Sequence, residues 1–174
     1  VALRQTNQDV AQLYRLSSQQ VSAVNSAALS LVAARTDLSR YATRVAQGNT
    51  SDATSLQQAR QRIISADRAF QGFSGGLSAE EKADYASLID AYTKLSANLQ
   101  SVGRVLEAGD MDAYFKQGTQ QVQERLVSER DAFVLRAEET GQGVMDEISM
   151  FHTLFSSLLA GILALGLLMA VGAH

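Results

Sequence analysis

The chain has no cysteine, no proline and no tryptophan, and only two histidines in 174 residues. Without cysteine, disulfides and thiolate-ligated metal centres are excluded, although the compartment is not fixed by that absence. Without proline, nothing in the chain must break a helical hydrogen-bond ladder, so long uninterrupted helices are expected. The two histidines fall at positions 152 and 174, neither of them in a bundle core. A di-iron helical bundle needs paired Glu-x-x-His motifs, and the sequence has none. Nucleophile elbows, Walker loops and zinc motifs are also missing. The chain therefore reads as non-enzymatic, with no cofactor and no metal. Fifteen basic and 18 acidic side chains leave a net charge of −3, which gives no nucleic-acid footprint.

What is present begins with an apolar run. From Phe151 to Ala173 no residue carries a full charge, and about 20 apolar residues cross the hydrocarbon core of a bilayer. The run predicts a transmembrane helix over 151–174 and a sensor domain over 1–150. Its place late in the sequence excludes a signal peptide. The stop at His174, with no basic residue after the span, leads to the expectation that a cytoplasmic part follows in the parent protein.

Ahead of that run the apolar residues recur at helical spacing. Val21, Val24, Ala28, Leu31, Leu38, Ala42 and Val45 form a seam with spacings of three and four, in which Arg35 stands where a leucine would be expected. This first helix runs from about Leu3 to Gln47 and stops at Gly48. A second covers roughly Asp52 to Gln71, ahead of the turn Gly72-Phe73-Ser74-Gly75-Gly76. Ser78 and Glu81 form a capping box that starts the third. Tyr85, Leu88, Tyr92, Leu95, Leu99, Val102 and Leu106 then give the cleanest heptad run in the chain, and its tyrosines read as core. A short connection over 110–119 leads to the fourth helix, which starts near Thr119 and continues toward the apolar run, with Gly141 and Gly143 as a soft point. The fold expected is all-α: an antiparallel up-down-up-down four-helix bundle whose fourth helix runs into a transmembrane helix.

Three arginines fall within ten residues of the first helix, at 35, 40 and 44. At 100° per residue Arg40 and Arg44 are about 40° apart, while Arg35 lies roughly 140–180° from both. One helix cannot aim all three at a small ligand, but two copies side by side can. Arginine binds carboxylates in bidentate fashion and keeps its charge at any physiological pH. Ser39 shares the face of Arg35, and Thr36 and Thr43 share that of Arg40, so hydroxyls stand beside guanidinium groups.

The stretch Arg35-Thr36-Asp37-Leu38-Ser39-Arg40-Tyr41-Ala42-Thr43-Arg44 resembles the first-helix motif of the bacterial aspartate and serine chemoreceptors. A second stretch, Asp112 to Gln120, resembles the segment at the start of their fourth helix. The resemblance implies the periplasmic ligand-binding domain of a methyl-accepting chemotaxis protein, with its ligand at the dimer interface. It implies Arg35 and Ser39 acting from one subunit and Arg40 and Arg44 from the other. The main-chain carbonyls of Tyr114 and Gln117 and the hydroxyl of Thr119 would hold an amino or hydroxyl group, and Phe115 would wall the pocket. Two departures stand out: Gly118 occupies the place of a proline in the aspartate receptor and implies a looser loop, and Asp37 adds a negative charge beside the anion site.

The function expected is a chemoreceptor sensor for a small carboxylate (aspartate, malate, citrate or similar) that signals by an axial shift of helix four. The expected partners are a second copy of the chain, the bacterial inner membrane and cytoplasmic signalling proteins. The sensor domain of a histidine kinase or cyclase is the alternative, and a membrane-anchored coiled-coil spacer is the non-sensory one.

Overall fold

The structure, a computed structural model, describes residues 2–140, with side chains from residue 17 onward and at residue 11. Six helices follow in chain order: α1 (Ala2–Ala46), α2 (Thr54–Gly75), α3 (Ala79–Asp84), α4 (Ala86–Glu107), α5 (Met111–Phe115) and α6, helical from 119 to 140. Long-range polar pairs fix how they run. Arg62 of α2 reaches Asp37 of α1, and Arg44 at the end of α1 pairs with Asp52 just before α2. Arg60 pairs with Glu107 near the end of α4, and Asp67 further along α2 meets Tyr92 and Ser96 earlier in α4. Thr119 meets Asn98 while Arg125 meets Asp90. Each successive pair closes in antiparallel register, so α1, α2, α3–α4 and α6 form the up-down-up-down four-helix bundle, with α5 as a single-turn connector.

The heptad positions of α4 enter the core as expected: Leu88, Tyr92, Leu95, Leu99, Val102 and Leu106 are all buried, against Leu31 and Leu38 of α1, Leu56 and Ile63 of α2, and Leu126 and Phe133 of α6. Both bundle turns that open on the α1–α2 and α4–α5 connections are Schellman closures. Asn49 N–H donates to Arg44 C=O at 2.9 Å and Asp110 N–H to Val105 C=O at 2.9 Å. The capping box at the start of α3 is complete, with the Ser78 hydroxyl and Glu81 carboxylate exchanging bonds with each other's backbone.

Two expectations need correction. First, α2 does not end at Gln71 but continues to Gly75, through the glycine-rich stretch read as a turn. Phe73 explains this. It is 2% exposed, and its ring packs 5.4 Å from those of Phe70 and Phe133. Burying a phenylalanine is worth roughly 1.5–3 kcal/mol, enough to offset most of the ~1 kcal/mol that each helical glycine costs. Second, the third helix is two: it breaks at Tyr85 (φ −100°, ψ 15°), which divides α3 from α4. Tyr85 C=O still accepts from Ile89 N–H at 3.0 Å, and its ring meets Phe133 edge-on at 5.2 Å, so the bend is clasped by aromatic packing. Asp37 is 2% exposed in the α1–α2 contact, bonded to Arg62 and 3.5 Å from Arg40.

Among the described residues no helix is long and apolar enough to cross a membrane. The expected span over 151–174, the soft point at Gly141 and Gly143, and both histidines lie outside the described residues.

Candidate ligand-binding site

Arg35 occupies its seam position half-buried, where the apolar spacing of α1 would place a leucine. It is held from α6. Its Nη1 donates to Gln120 Oε1 at 2.7 Å and to Gln123 Oε1 at 3.0 Å. Gln120 is itself fixed, because its amide nitrogen donates to Glu124 Oε1 at 2.6 Å, which turns its oxygen toward the arginine. A guanidinium carries five N–H donors in a rigid fork; the two glutamines engage one nitrogen, and Nε and Nη2 meet no acceptor among the described residues.

The fork borders a cavity of about 290 Å³. Leu38, Leu99 and Val102 line its apolar side, and Ser39, Tyr114, Phe115, Gly118 and Thr119 its other side. Five residues expected at the site from sequence (Arg35, Ser39, Tyr114, Phe115, Thr119) thus converge on one space. Phe115 lines it while remaining 76% exposed.

The loop bearing the last of these is organised by a residue that sequence reading missed. Asn98 of α4 donates its amide to the Gln117 carbonyl at 2.8 Å and accepts from the Thr119 hydroxyl at 2.8 Å. The Thr119 proton is therefore committed to Asn98, and its oxygen lone pairs remain free to accept from an ammonium or hydroxyl group. Gln117 does not line the cavity; its carbonyl keeps one further lone pair, and its side chain bonds back to Ala113 C=O at 3.1 Å. Gly118 between them has φ +63°. Proline, locked near −65°, cannot take this conformation. Asn98 thus holds the loop on both sides of Gly118.

Arg40 and Arg44 do not line the cavity of their own chain. Arg40, its side chain 67% exposed, stands 3.5 Å from Asp37. Arg44 pairs with Asp52, whose carboxyl lies below its ordinary value of 3.8, chiefly through the hydroxyl and amide of Thr54 and then Arg44. Thr36 and Thr43 spend their hydroxyl protons on their own helix, donating to Val32 C=O at 3.3 Å and Ser39 C=O at 3.2 Å.

A family model described as the Tar ligand binding domain homologue matches residues 1–140. The chain belongs to this family. No curated protein matches it. The resemblance read from two short motifs thus extends over the whole described bundle, and the Tar-type assignment makes this a chemoreceptor ligand-binding domain. Arg35 of this Tar-type domain was found by its seam position. Asn98, Gln120 and Gln123 were not, because each is one ordinary polar residue among many on an amphipathic helix. Arg62, the partner of buried Asp37, was invisible for the same reason.

Proposed function

We propose that residues 1–150 form the periplasmic sensor domain of a methyl-accepting chemotaxis protein, that 151–174 span the inner membrane, and that two copies of the chain bind a small carboxylate between them. The observation that carries this reading is the Arg35 fork, oriented by Gln120 and Gln123 with two donor nitrogens left over, at the edge of a cavity that also holds Ser39 and Thr119. At about 290 Å³ the cavity is at the small end of the range for ligand pockets and suits an acid of few carbons. Arg35 and Ser39 take one carboxylate. Thr119, with the carbonyl of Tyr114, accepts from an amino or hydroxyl group, and the Gln117 carbonyl, bonded to Asn98, steadies the loop that presents them. The exposed guanidinium groups of Arg40 and Arg44 serve the site of the second copy, which favours two or more carboxylates: aspartate, malate or citrate.

Signal output then follows from differential affinity. A ligand bridging two copies shifts a pre-existing equilibrium only by the difference in its affinity for the two arrangements. Its contacts tie α1 to the segment leading into α6, so the element biased is the register of α6 along the bundle axis, which continues toward the membrane and the cytoplasmic signalling partners. No step of this account needs catalysis or a cofactor. Calorimetric titration with aspartate, malate, citrate and serine tests it: saturable heat with at least one diacid, lost in Arg35→Ala, supports the reading. A flat response across the panel leaves a membrane-anchored spacer.

A further inference from the structure

The groove between α2 and α4 holds a second constellation that the site above does not use. It encloses about 350 Å³ and, among the described residues, is lined by those two helices alone. At its polar end the hydroxyls of Tyr92 and Ser96 donate to Asp67 at 2.6 Å and 2.9 Å, and both converge on the same oxygen, Oδ1. Gln100 in turn donates to Ser96 at 3.3 Å. The carboxylate is thereby fixed in orientation, while Oδ2 receives no hydrogen bond from the described residues.

Elsewhere in this bundle carboxylates that reach a neighbouring helix meet a cation: Asp37 meets Arg62, Asp90 meets Arg125 and Glu107 meets Arg60. Asp67 makes its crossing with neutral hydroxyls, and no lysine or arginine among the described residues lines its groove. Two neutral donors orient a negative charge without neutralising it. Beside it lie Ile89, Ala97 and the edge of the Phe70–Tyr92 stack, whose ring centroids are 3.8 Å apart. Gln71, Ser74 and Thr93 line the rest. A carboxylate oxygen with free lone pairs beside apolar and aromatic side chains, in a groove whose other polar groups are neutral, is the complement of an ammonium group on a hydrocarbon body.

We propose that this groove is a second binding site, for a small primary amine in its protonated form. The ammonium donates to Asp67 Oδ2, and the apolar body lies along Ile89 and Ala97. Because no residue of α1, α5 or α6 lines the groove, occupancy does not depend on the arginine site.

The test is titration of the full chain with benzylammonium chloride, followed by calorimetry and ligand-observed NMR, with benzyl alcohol and benzoate as matched probes. Saturable binding of benzylammonium alone is expected. Asp67→Asn, which keeps an acceptor for Tyr92 and Ser96, should weaken it about tenfold or more. Ala97→Phe at the exposed rim should block it without touching the polar network, and serves if Asp67→Asn does not fold. Arg35→Ala should leave it unchanged. Equal binding of benzyl alcohol, undiminished binding in a folded Asp67→Asn or Ala97→Phe, or no saturable binding at all would each overturn the proposal.

Discussion

Arg62 Nε lies 2.7 Å from Asp37 Oδ2, an ion pair that ties the middle of α2 to the arginine-bearing segment of α1. The carboxylate is buried, whereas half of the arginine side chain is exposed to water. Asp37→Ala would leave Arg62 facing an apolar contact without its partner. Removing one member of a buried pair costs about 3–5 kcal/mol; exposure of Arg62 reduces this, and about 1–3 kcal/mol is expected. Urea denaturation of the variant measures it, and Asp37→Asn should lose less because Arg62 keeps an acceptor.

Removing Asn98 should separate ligands by their chemistry. Asn98→Ala frees the Thr119 hydroxyl and the Gln117 carbonyl from the partner that orients both. Aspartate and malate, which place an amino or hydroxyl group there, should bind about three- to tenfold more weakly, the worth of one hydrogen bond. Succinate has neither group and should be unaffected. Titration of the three acids reads the difference directly.

Gly118 is a conformational requirement, since a Cβ there would meet open space but φ is +63°. Gly118→Ala should cost about 1–2 kcal/mol of stability. Gly118→Pro should also move Thr119 and reduce affinity. Thermal melts and titrations separate these two effects.

The seam of α1 and the heptads of α4 were legible because burial imposes a period, and a period survives in a single sequence. Arg35 was legible as a violation of one. Residues that act on a distant partner leave no such trace. Asn98 is conspicuous only once the chain reversal brings it to the carbonyl of Gln117, 19 residues on. The burial of Asp37 was not legible because the buried stripe of α1 is wider than its strict seam: Ala34, Asp37 and Tyr41 are buried beside Leu31 and Leu38. Tyr85 and Phe73 moved helix boundaries through an aromatic cluster drawn from α2, α6 and the α3–α4 bend, a tertiary effect that local spacing does not contain.

Acid should weaken the bundle in a defined window. The carboxyl of Asp90 is held below its ordinary value of 3.8 by hydrogen bonds from Arg125 and then Lys94, as that of Asp52 is by Thr54 and Arg44. A depressed folded-state value means that the unfolded chain binds more protons there, so these groups contribute stability above the ordinary value and lose it as pH falls through the depressed ones. The melting temperature should hold from neutrality to about pH 5 and drop below pH 4. Asp90→Asn should flatten part of that drop.

The central claim is that one site draws Arg35 from one copy and Arg44 from the other, and mixing two defective chains tests it most directly. Arg35→Ala and Arg44→Ala should each fail to bind as homodimers. After equal mixing and exchange, half of the dimers pair one of each, and each of these rebuilds a single intact site from the wild-type Arg35 of one chain and Arg44 of the other. Calorimetry of the mixture should then recover about a quarter of the wild-type binding capacity at wild-type affinity. No recovery, with exchange verified by mass, would contradict the shared site.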